Sequence, residues 1–403
     1  MDFGWTDEQQ MWRRSVREFA QKKIAPRVRE IDSNNRIPDD IVKGMTDMGL
    51  WAPTVSEEYG GQGMNVTLAT IAAEELGRAE ISLALPVWYL VEASWGFIFD
   101  RYASPELKQE ILPDVTAGKK FLGIATTEPG GGSDIEGVTR SRGEKQPDGN
   151  WILNGEKVYI SGIKEAQRIG GIHMTLVRTD PSAGHKGFTF FAVPLKDNPH
   201  VTPTYFENWG RTGISTGGFT MENMPLDDKY RIGKVGQGFY MAMEGFTFAR
   251  ALIGATCVGA ADTALNMGVE YIRQRKSFGK PLAAYQGVNF PAAERYVDIE
   301  TARLLTYKAA WMADEMYSKG TFKHKDIALF GAMAKLRAPI MAFETFNEVA
   351  NWLGAMGYTK EYPIEMGIRG VRSYSIGAEG GMNIMRMIIA RELIGGEYTN
   401  PRQ

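Results

Sequence analysis

The sequence predicts a mainly α-helical protein with a central β domain. Three observations support this: helical periodicity up to about residue 120, short β-rich runs between residues 121 and 235, and long helical stretches from residue 236 to the end. At 403 residues the chain is longer than the ~250–300 residues that one hydrophobic core spans. We therefore expect an N-terminal helical domain at 1–120, a mostly antiparallel β domain at 121–235 and a C-terminal helical bundle at 236–403.

Helix starts are visible in the N-terminal part. Thr6 with Gln9 three positions later forms a capping-box pattern, and Ser104 before Pro105 is typical of an N-cap. In the middle part, Asp148-Gly149 is a hairpin signal. The β-rich runs there are 151–153, 158–160, 172–177, 188–193 and 219–221.

The C-terminal part carries helical periodicity at 239–272, 288–317 and 327–353, which are lengths typical of bundle helices. The helix from Met382 to Ile394 is apolar almost all round. We therefore expect it to be buried on every side, with a subunit contact as one candidate cover.

Composition and charge exclude several classes of protein. With 43% hydrophobic and 23% charged residues the chain is ordinary for a globular protein, and a net charge of −2 argues against the basic surface of a nucleic-acid binder. Cys257 is the only cysteine, so no intramolecular disulfide can form, and the four histidines lack ligand spacing, which predicts no metal site. Neither a signal peptide nor an apolar run of ~20 residues is recognisable, which predicts a cytoplasmic protein without membrane insertion.

Three motifs carry candidate chemistry. The first is the glycine-rich loop from Thr126 to Asp134, where three consecutive glycines allow close approach of the backbone to a ligand and hydroxyls on either side can bond a heterocycle. The second surrounds Arg275 and Phe278 at the end of a bundle helix. Two interpretations of it stay open: ordinary helix capping, or an arginine fork for a pyrophosphate beside an aromatic ring.

The third motif is a turn of small residues around Glu379, directly before the apolar helix at Met382. That position places the carboxylate in a desolvated pocket. Burial raises the pKa of a carboxyl, whereas a helix N-terminus lowers it, and the sequence leaves open which effect prevails.

Taken together and in this order, the three motifs resemble those of the acyl-CoA dehydrogenase family over essentially the whole chain. The TEPxxGSD loop of the family stands here at 127–134, its RxxFG motif at 275–279, and its YEGT turn reads Ala378-Glu379-Gly380-Gly381. The resemblance implies an N-terminal helical domain, a middle antiparallel β domain and a C-terminal four-helix bundle in a homotetramer, with FAD between the β domain and the bundle.

The resemblance also implies residue roles. Glu379 would be the base that takes the α-proton of a CoA thioester, while the β-hydrogen leaves as hydride to the flavin. A second base position of the family is Ala249 here, so Glu379 has no competitor. Residues implied to bind FAD are Ala125, Thr126, Thr127, Tyr159, Ser161, Asn351 and Gly354, with Arg275 and Phe278 reaching the FAD of a neighbouring subunit. Residues implied to bind substrate are Ser133, Arg250, Ala378 and Gly380, with an electron-transfer flavoprotein as the electron acceptor.

Departures from the family pattern bear on the substrate. Ala378 stands where tyrosine is usual, which opens room of roughly one aromatic ring beside the base. We therefore expect a bulky, cyclic or aryl-bearing acyl group such as cyclohexanecarboxyl-CoA or benzylsuccinyl-CoA, with Trp88 and Tyr89 as candidates to stack on a ring. The alternatives are a short- or branched-chain aliphatic acyl-CoA, a flavin-dependent oxidase or monooxygenase of the same fold, and a helical scaffold that has lost its flavin.

Overall fold

A computed structural model describes residues 4–399 of the chain and shows helices, then a sheet, then helices, which confirms the predicted fold class. Thr6 and Gln9 form the predicted capping box, and Ser104 accepts a hydrogen bond from the backbone N–H of Leu107 at the start of its helix. The N-terminal helices are α1 (Asp7–Lys23), α2 (Val28–Asn34), α3 (Asp39–Asp47), α4 (Val66–Ala79), α5 (Ala84–Tyr102) and α6 (Pro105–Thr116).

The middle part is a twisted sheet with the strand order β6-β7-β3-β2-β4-β5-β8, in which β1 pairs with β4. Most neighbours are antiparallel, while β1 and β2 run parallel to β4. Its strands are β1 (Phe121–Ala125), β2 (Arg142–Lys145), β3 (Trp151–Ser161), β4 (Gly171–Arg178), β5 (Phe188–Pro194), β6 (Val201–Phe206), β7 (Thr216–Leu226) and β8 (Arg231–Ile232), and two short helices, α7 (Ile135–Val138) and α8 (Ile163–Ile169), lie between them.

One strand differs from its prediction. The runs 151–153 and 158–160 are two parts of a single strand, β3, whose pairing with β7 shifts register between Leu153 and Gly155 and again between Lys157 and Ile160. Each irregularity breaks the alternation of apolar and polar side chains, because a bulge inserts an unpaired residue. The sequence therefore showed two short strands where the backbone forms one.

The C-terminal part begins with α9 (Gly238–Gln274), β9 (Lys276–Ser277) and β10 (Lys280–Pro281), and continues with α10 (Gln286–Lys319), α11 (His324–Leu353), α12 (Ile364–Ile376) and α13 (Met382–Ile394). The central helix α9 is tied closely to the N-terminal helices. A Cβ on Gly77 of α4 would lie 2.3 Å from the carbonyl oxygen of Thr256, so the two helices pack backbone to backbone. This contact fixes the helix that carries Arg250.

Two apolar helices bear on the predictions that were made from composition. One helix, α9, is by length and composition apolar enough to cross a membrane, although 72% of its most apolar window is buried within the fold, as in the core helix of a globular domain. The helix α13 is not buried on every side within the chain. Its side chain of Met385 is buried, but Leu393 is 81% exposed and Ile394 is 57% exposed. Apolar composition does not by itself determine what covers a helix, because burial depends on the neighbours that the fold supplies.

Candidate active site

The turn between α12 and α13 carries Glu379 in a strained backbone. Three consecutive residues have positive φ: Ala378 at 53°, Glu379 at 45° and Gly380 at 104°. Two of them are not glycine, and such conformations cost of order 1–3 kcal/mol each unless the surroundings hold them. The turn is therefore held in place by contacts from elsewhere.

Two buried cations provide those contacts. Lys335 on α11 is fully buried, and its ammonium donates hydrogen bonds to the carbonyl of Gly377 at 3.0 Å and to that of Gly380. Arg250 on α9 is 4% exposed, and its Nε donates to the carbonyl of Glu379 at 3.1 Å. Carbonyls on both sides of the base are thus fixed by two different bundle helices.

The electrostatics at Glu379 combine opposing effects. Burial raises the pKa of the Glu379 carboxyl, while Lys335, Arg250 and Arg211 act to lower it. The net pKa is raised, which answers the question that the sequence left open. Burial in turn lowers the pKa of Lys335 to about 8 and that of Arg250 to about 10, although the Glu379 carboxylate favours both charged forms.

Arg211 was not recognised from the sequence. It lies in the segment before β7 and donates from its two terminal nitrogens to Ser161 Oγ and Thr216 Oγ1, both at 3.2 Å. Burial lowers its pKa, whereas Glu379 and Glu165 favour the charged form. The middle domain therefore contributes a cation near Glu379, whereas Glu379 itself belongs to the C-terminal part.

An aromatic ring also faces the base. Trp95 on α5 is fully buried between Phe190 and Phe246, and it packs so closely on α9 that a Cβ on Gly245 would lie 2.4 Å from its ring. Its indole N–H lies close enough to the Glu379 carboxyl to lower the pKa of that group. Trp95 lies seven residues after Trp88, so both rings share one face of α5.

Trp88 and Tyr89, the candidates for stacking on an acyl ring, pack in the core of the chain. The side chain of Trp88 is 1% exposed, packs edge-on against Trp51 and donates from its indole to Glu92 at 3.1 Å. The hydroxyl of Tyr89 donates to the carbonyl of Ala69 at 2.9 Å. These contacts with the fold account for both rings, and the aromatic side chain beside Glu379 is that of Trp95.

The glycine-rich loop is anchored at its start by a buried ion pair. Lys157 Nζ lies 2.6 Å from Glu128 Oε1, and the Glu128 carboxylate also accepts the backbone N–H groups of Arg140 and Ser141. The Lys157 ammonium holds the pKa of Glu128 below its usual value although burial acts the other way. Glu128 follows Thr127 directly, so this pair fixes the backbone of the predicted cofactor loop. Within the loop, Ser133 is exposed.

The predicted flavin-facing segment of β3 is close to that loop, since the N–H of Val158 donates to the carbonyl of Thr127 at 3.0 Å. Tyr159 has a φ of 59°, is 69% exposed and stacks on Phe206. The carbonyl of Ser161 accepts a hydrogen bond from Nε2 of His173, whose pKa burial lowers to about 4, so this ring is neutral. Ala125 and Thr126 are buried at the end of β1.

The remaining predicted cofactor residues lie far from Glu379 within one chain. Arg275 follows the last residue of α9, about 37 Å along the helix from Arg250 at 1.5 Å per residue. Arg275 is exposed and Phe278 is 96% exposed, with its backbone at a φ of 49°. Asn351 and Gly354 are exposed at the C-terminal end of α11. These residues cannot reach the base of their own chain.

Known proteins resemble this chain over nearly its full length. The acyl-CoA dehydrogenase N-terminal, middle and C-terminal domain families match residues 6–119, 123–224 and 236–394. The glutaryl-CoA dehydrogenase of Desulfococcus multivorans is 32% identical over 99% of this chain and 100% of its own length. The cyclohex-1-ene-1-carbonyl-CoA dehydrogenase of Syntrophus aciditrophicus is 31% identical over 96% of this chain and 90% of its own length.

Solved structures agree with these relatives. A glutaryl-coenzyme A dehydrogenase in complex with glutaryl-CoA superposes with a TM-score of 0.91 at 31% identity, covering 99% of this chain and 98% of that one. The butyryl-CoA dehydrogenase of Megasphaera elsdenii gives 0.87 at 28% identity, covering 98% of this chain and 100% of that one. The chain belongs to the acyl-CoA dehydrogenase family, and the family and enzyme class predicted from the three motifs are confirmed.

Proposed function

We propose that the protein introduces a double bond between the α and β carbons of an acyl-CoA thioester, with Glu379 as the base. The observation that carries the proposal is the Glu379 turn itself, a carboxylate whose pKa is raised by burial on a backbone that two cations clamp. A general base is most efficient when its pKa is close to the operating pH, and a raised pKa moves a carboxyl in that direction. Ala249, at the alternative base position, is fully buried and cannot act as one.

The backbone around Glu379 also supplies a place for the thioester oxygen. Within residues 4–399 the N–H of Glu379 has no hydrogen-bond acceptor, although the neighbouring carbonyls are bonded. Negative charge develops on the thioester oxygen as the α-proton leaves, and a free N–H beside the base can stabilise it. Ser133, Arg250, Ala378 and Gly380 complete the proposed substrate contacts.

FAD is the cofactor, and when bound it accepts the β-hydrogen as hydride. The chain offers a fitting site: Tyr159 presents an exposed ring in a left-handed backbone conformation, next to the loop that the Lys157–Glu128 pair anchors. Residues that would hold the flavin ring are Ala125, Thr126, Thr127, Tyr159 and Ser161. From a neighbouring subunit, Arg275, Phe278, Asn351 and Gly354 would reach the rest of the cofactor.

A bulky acyl group, such as cyclohexanecarboxyl or benzylsuccinyl, is supported by the small side chain of Ala378 beside the base. A relative named for cyclohex-1-ene-1-carbonyl-CoA is similar over nearly the whole chain, which is compatible with a cyclic acyl group.

We infer that electrons leave to an electron-transfer flavoprotein in the cytoplasm and that the enzyme is a homotetramer. An apolar stripe on α10 supports assembly. It consists of Phe290, Val297, Leu304 and Trp311, which are 56%, 62%, 58% and 50% exposed. The residues recur every seven positions, so they share one face of the helix, which suits a contact with a second helix.

Anaerobic bleaching of the flavin by a panel of CoA thioesters tests this function. Cyclic and aryl-bearing thioesters should bleach the flavin faster than butyryl-CoA or octanoyl-CoA. Faster bleaching by the straight chains would contradict the bulky substrate and favour an aliphatic one. Rapid reoxidation of the substrate-reduced enzyme by air would instead favour an oxidase, and bleaching by NAD(P)H rather than by thioesters would favour a monooxygenase.

A further inference from the structure

We propose that the acyl group carries a second carboxylate, which Arg211 anchors, so that the substrate is the CoA monothioester of a dicarboxylic acid. The inference rests on the proposed function and narrows its substrate class. It follows from three cations near Glu379 that have no other carboxylate within ion-pair distance in residues 4–399, and from a buried hydroxyl without a hydrogen-bond partner.

The charges around Glu379 do not balance. Arg211, Arg250 and Lys335 all act on this carboxylate, and none of them lies within ion-pair distance of another Asp or Glu in residues 4–399. Three cations against one carboxylate leave two positive charges. Glu165 is within electrostatic reach of Arg211, but its oxygens accept the N–H and O–H of Ser215. Counting Glu165 still leaves one positive charge in excess, and buried charges are normally paired.

A buried hydroxyl is also left over. The hydroxyl of Tyr374 is buried and has no hydrogen-bond partner among residues 4–399, and Tyr374 lies within electrostatic reach of both Arg211 and Glu379. Buried polar atoms without partners are uncommon in native proteins. A carboxylate has two oxygens that only accept, which is the complement of a site with a surplus donor and surplus positive charge.

Arg211 differs from the other two cations in what it binds. Lys335 and Arg250 donate to carbonyls of the Glu379 turn, so the fold itself explains them. Arg211 donates to two hydroxyls, Ser161 Oγ and Thr216 Oγ1, which carry no charge. A planar guanidinium binds a carboxylate through two parallel hydrogen bonds, and exchanging neutral hydroxyls for a carboxylate strengthens both.

Matched thioesters test the proposal on the holoenzyme under anaerobic conditions. The pairs are glutaryl-CoA with its ω-amide, and benzylsuccinyl-CoA with the amide of its free carboxylate, because an amide keeps the shape and removes the charge. We take the pair whose carboxylate form bleaches the flavin faster. At low thioester concentration, its carboxylate form should bleach the flavin about 10- to 100-fold faster than its amide, as expected for a hydrogen bond to a charged group. In Arg211→Gln this preference should fall to within about threefold. Arg142→Gln, at an exposed arginine of the same sheet, should keep the preference of the wild type.

The outcomes separate the two proposals. Amides that bleach the flavin as fast as their carboxylates in the wild type would overturn the dicarboxylate substrate and leave the dehydrogenase function intact. An undiminished preference in Arg211→Gln would overturn the role of Arg211. No bleaching by any thioester, including the neutral panel, would overturn the function as well. The wild-type ratio needs no variant, so the test stands even if Arg211→Gln fails to fold.

Discussion

Lys335→Met removes the ammonium that binds carbonyls on both sides of the base. Two effects are expected. The carbonyls of Gly377 and Gly380 lose their donor in a buried place, at about 1–3 kcal/mol for each unsatisfied group, which loosens the strained turn. The Glu379 carboxylate also loses a nearby cation, an interaction worth on the order of a few kcal/mol at an effective dielectric constant of about 20.

The loss of the positive charge beside Glu379 makes the effect of Lys335→Met on the reaction rate depend on pH. Without the cation the protonated form of Glu379 is favoured, so the acid limb of the pH–rate profile moves to higher pH. The wild type itself loses the ammonium as the pH rises through about 8, the pKa of Lys335. The ratio of wild-type to variant kcat should therefore be largest on the acid limb of the profile, on the order of 10- to 100-fold, and should shrink above about pH 8.

Single-turnover flavin reduction across this pH range is the measurement. Lys325→Met, the same change at an exposed lysine of the same helix α11, is the matched control and should follow the wild type. A ratio for Lys335→Met that stays constant from about pH 6 to about pH 10 would show that the lysine supports the turn only mechanically, and would refute the electrostatic role.

Three further changes test other parts of the structure. Glu92 is fully buried and burial raises its pKa to about 8, so the unfolding free energy should fall by up to about 5 kcal/mol as the pH rises from about 4.5 to about 8. Glu92→Gln should remove most of that slope in urea unfolding, and parallel slopes would contradict the buried neutral acid. Lys157→Met leaves Glu128 buried and unpaired, so stability should drop by about 3–5 kcal/mol and bound flavin should decrease. Adding Glu128→Gln should recover part of the stability, because a neutral amide oxygen still accepts the backbone N–H groups of Arg140 and Ser141. A single variant as stable and as yellow as the wild type would be inconsistent with the anchoring pair. Val297→Glu introduces a charge into the apolar stripe on α10, so the mass of the assembled protein measured by light scattering should fall. An unchanged mass would rule the stripe out as a subunit contact.

The helices could be predicted closely because their periodicity extends over many turns. The stretch 288–317 lies within α10, which runs from Gln286 to Lys319. The strand β3 was divided in the prediction because its bulges interrupt the alternation, and α13 was predicted as buried because its composition is apolar on all sides. In both cases the sequence pattern is local, whereas bulges and burial depend on residues far away in the chain.

Some residues of the candidate site also have a local sequence signal, whereas others have none. Glu379 could be recognised because its turn has a sequence signature. Lys335 and Arg211 could not, since each is a single charge in an ordinary context, one within a long amphipathic helix and the other in a connection before β7. Only the folded chain brings them to the base. Trp95 had a weak signal, its spacing of seven residues from Trp88 on the same face of α5, but nothing in the sequence showed which ring faces the pocket.

Glu379→Gln tests the central claim most directly. Glutamine keeps the size of the side chain and removes its ability to take a proton, so the purified variant should bind FAD and remain yellow. Addition of an acyl-CoA that bleaches the wild type under anaerobic conditions should then produce no bleaching, or bleaching slowed by at least about 10⁴-fold. Bleaching at a rate close to that of the wild type would contradict Glu379 as the base.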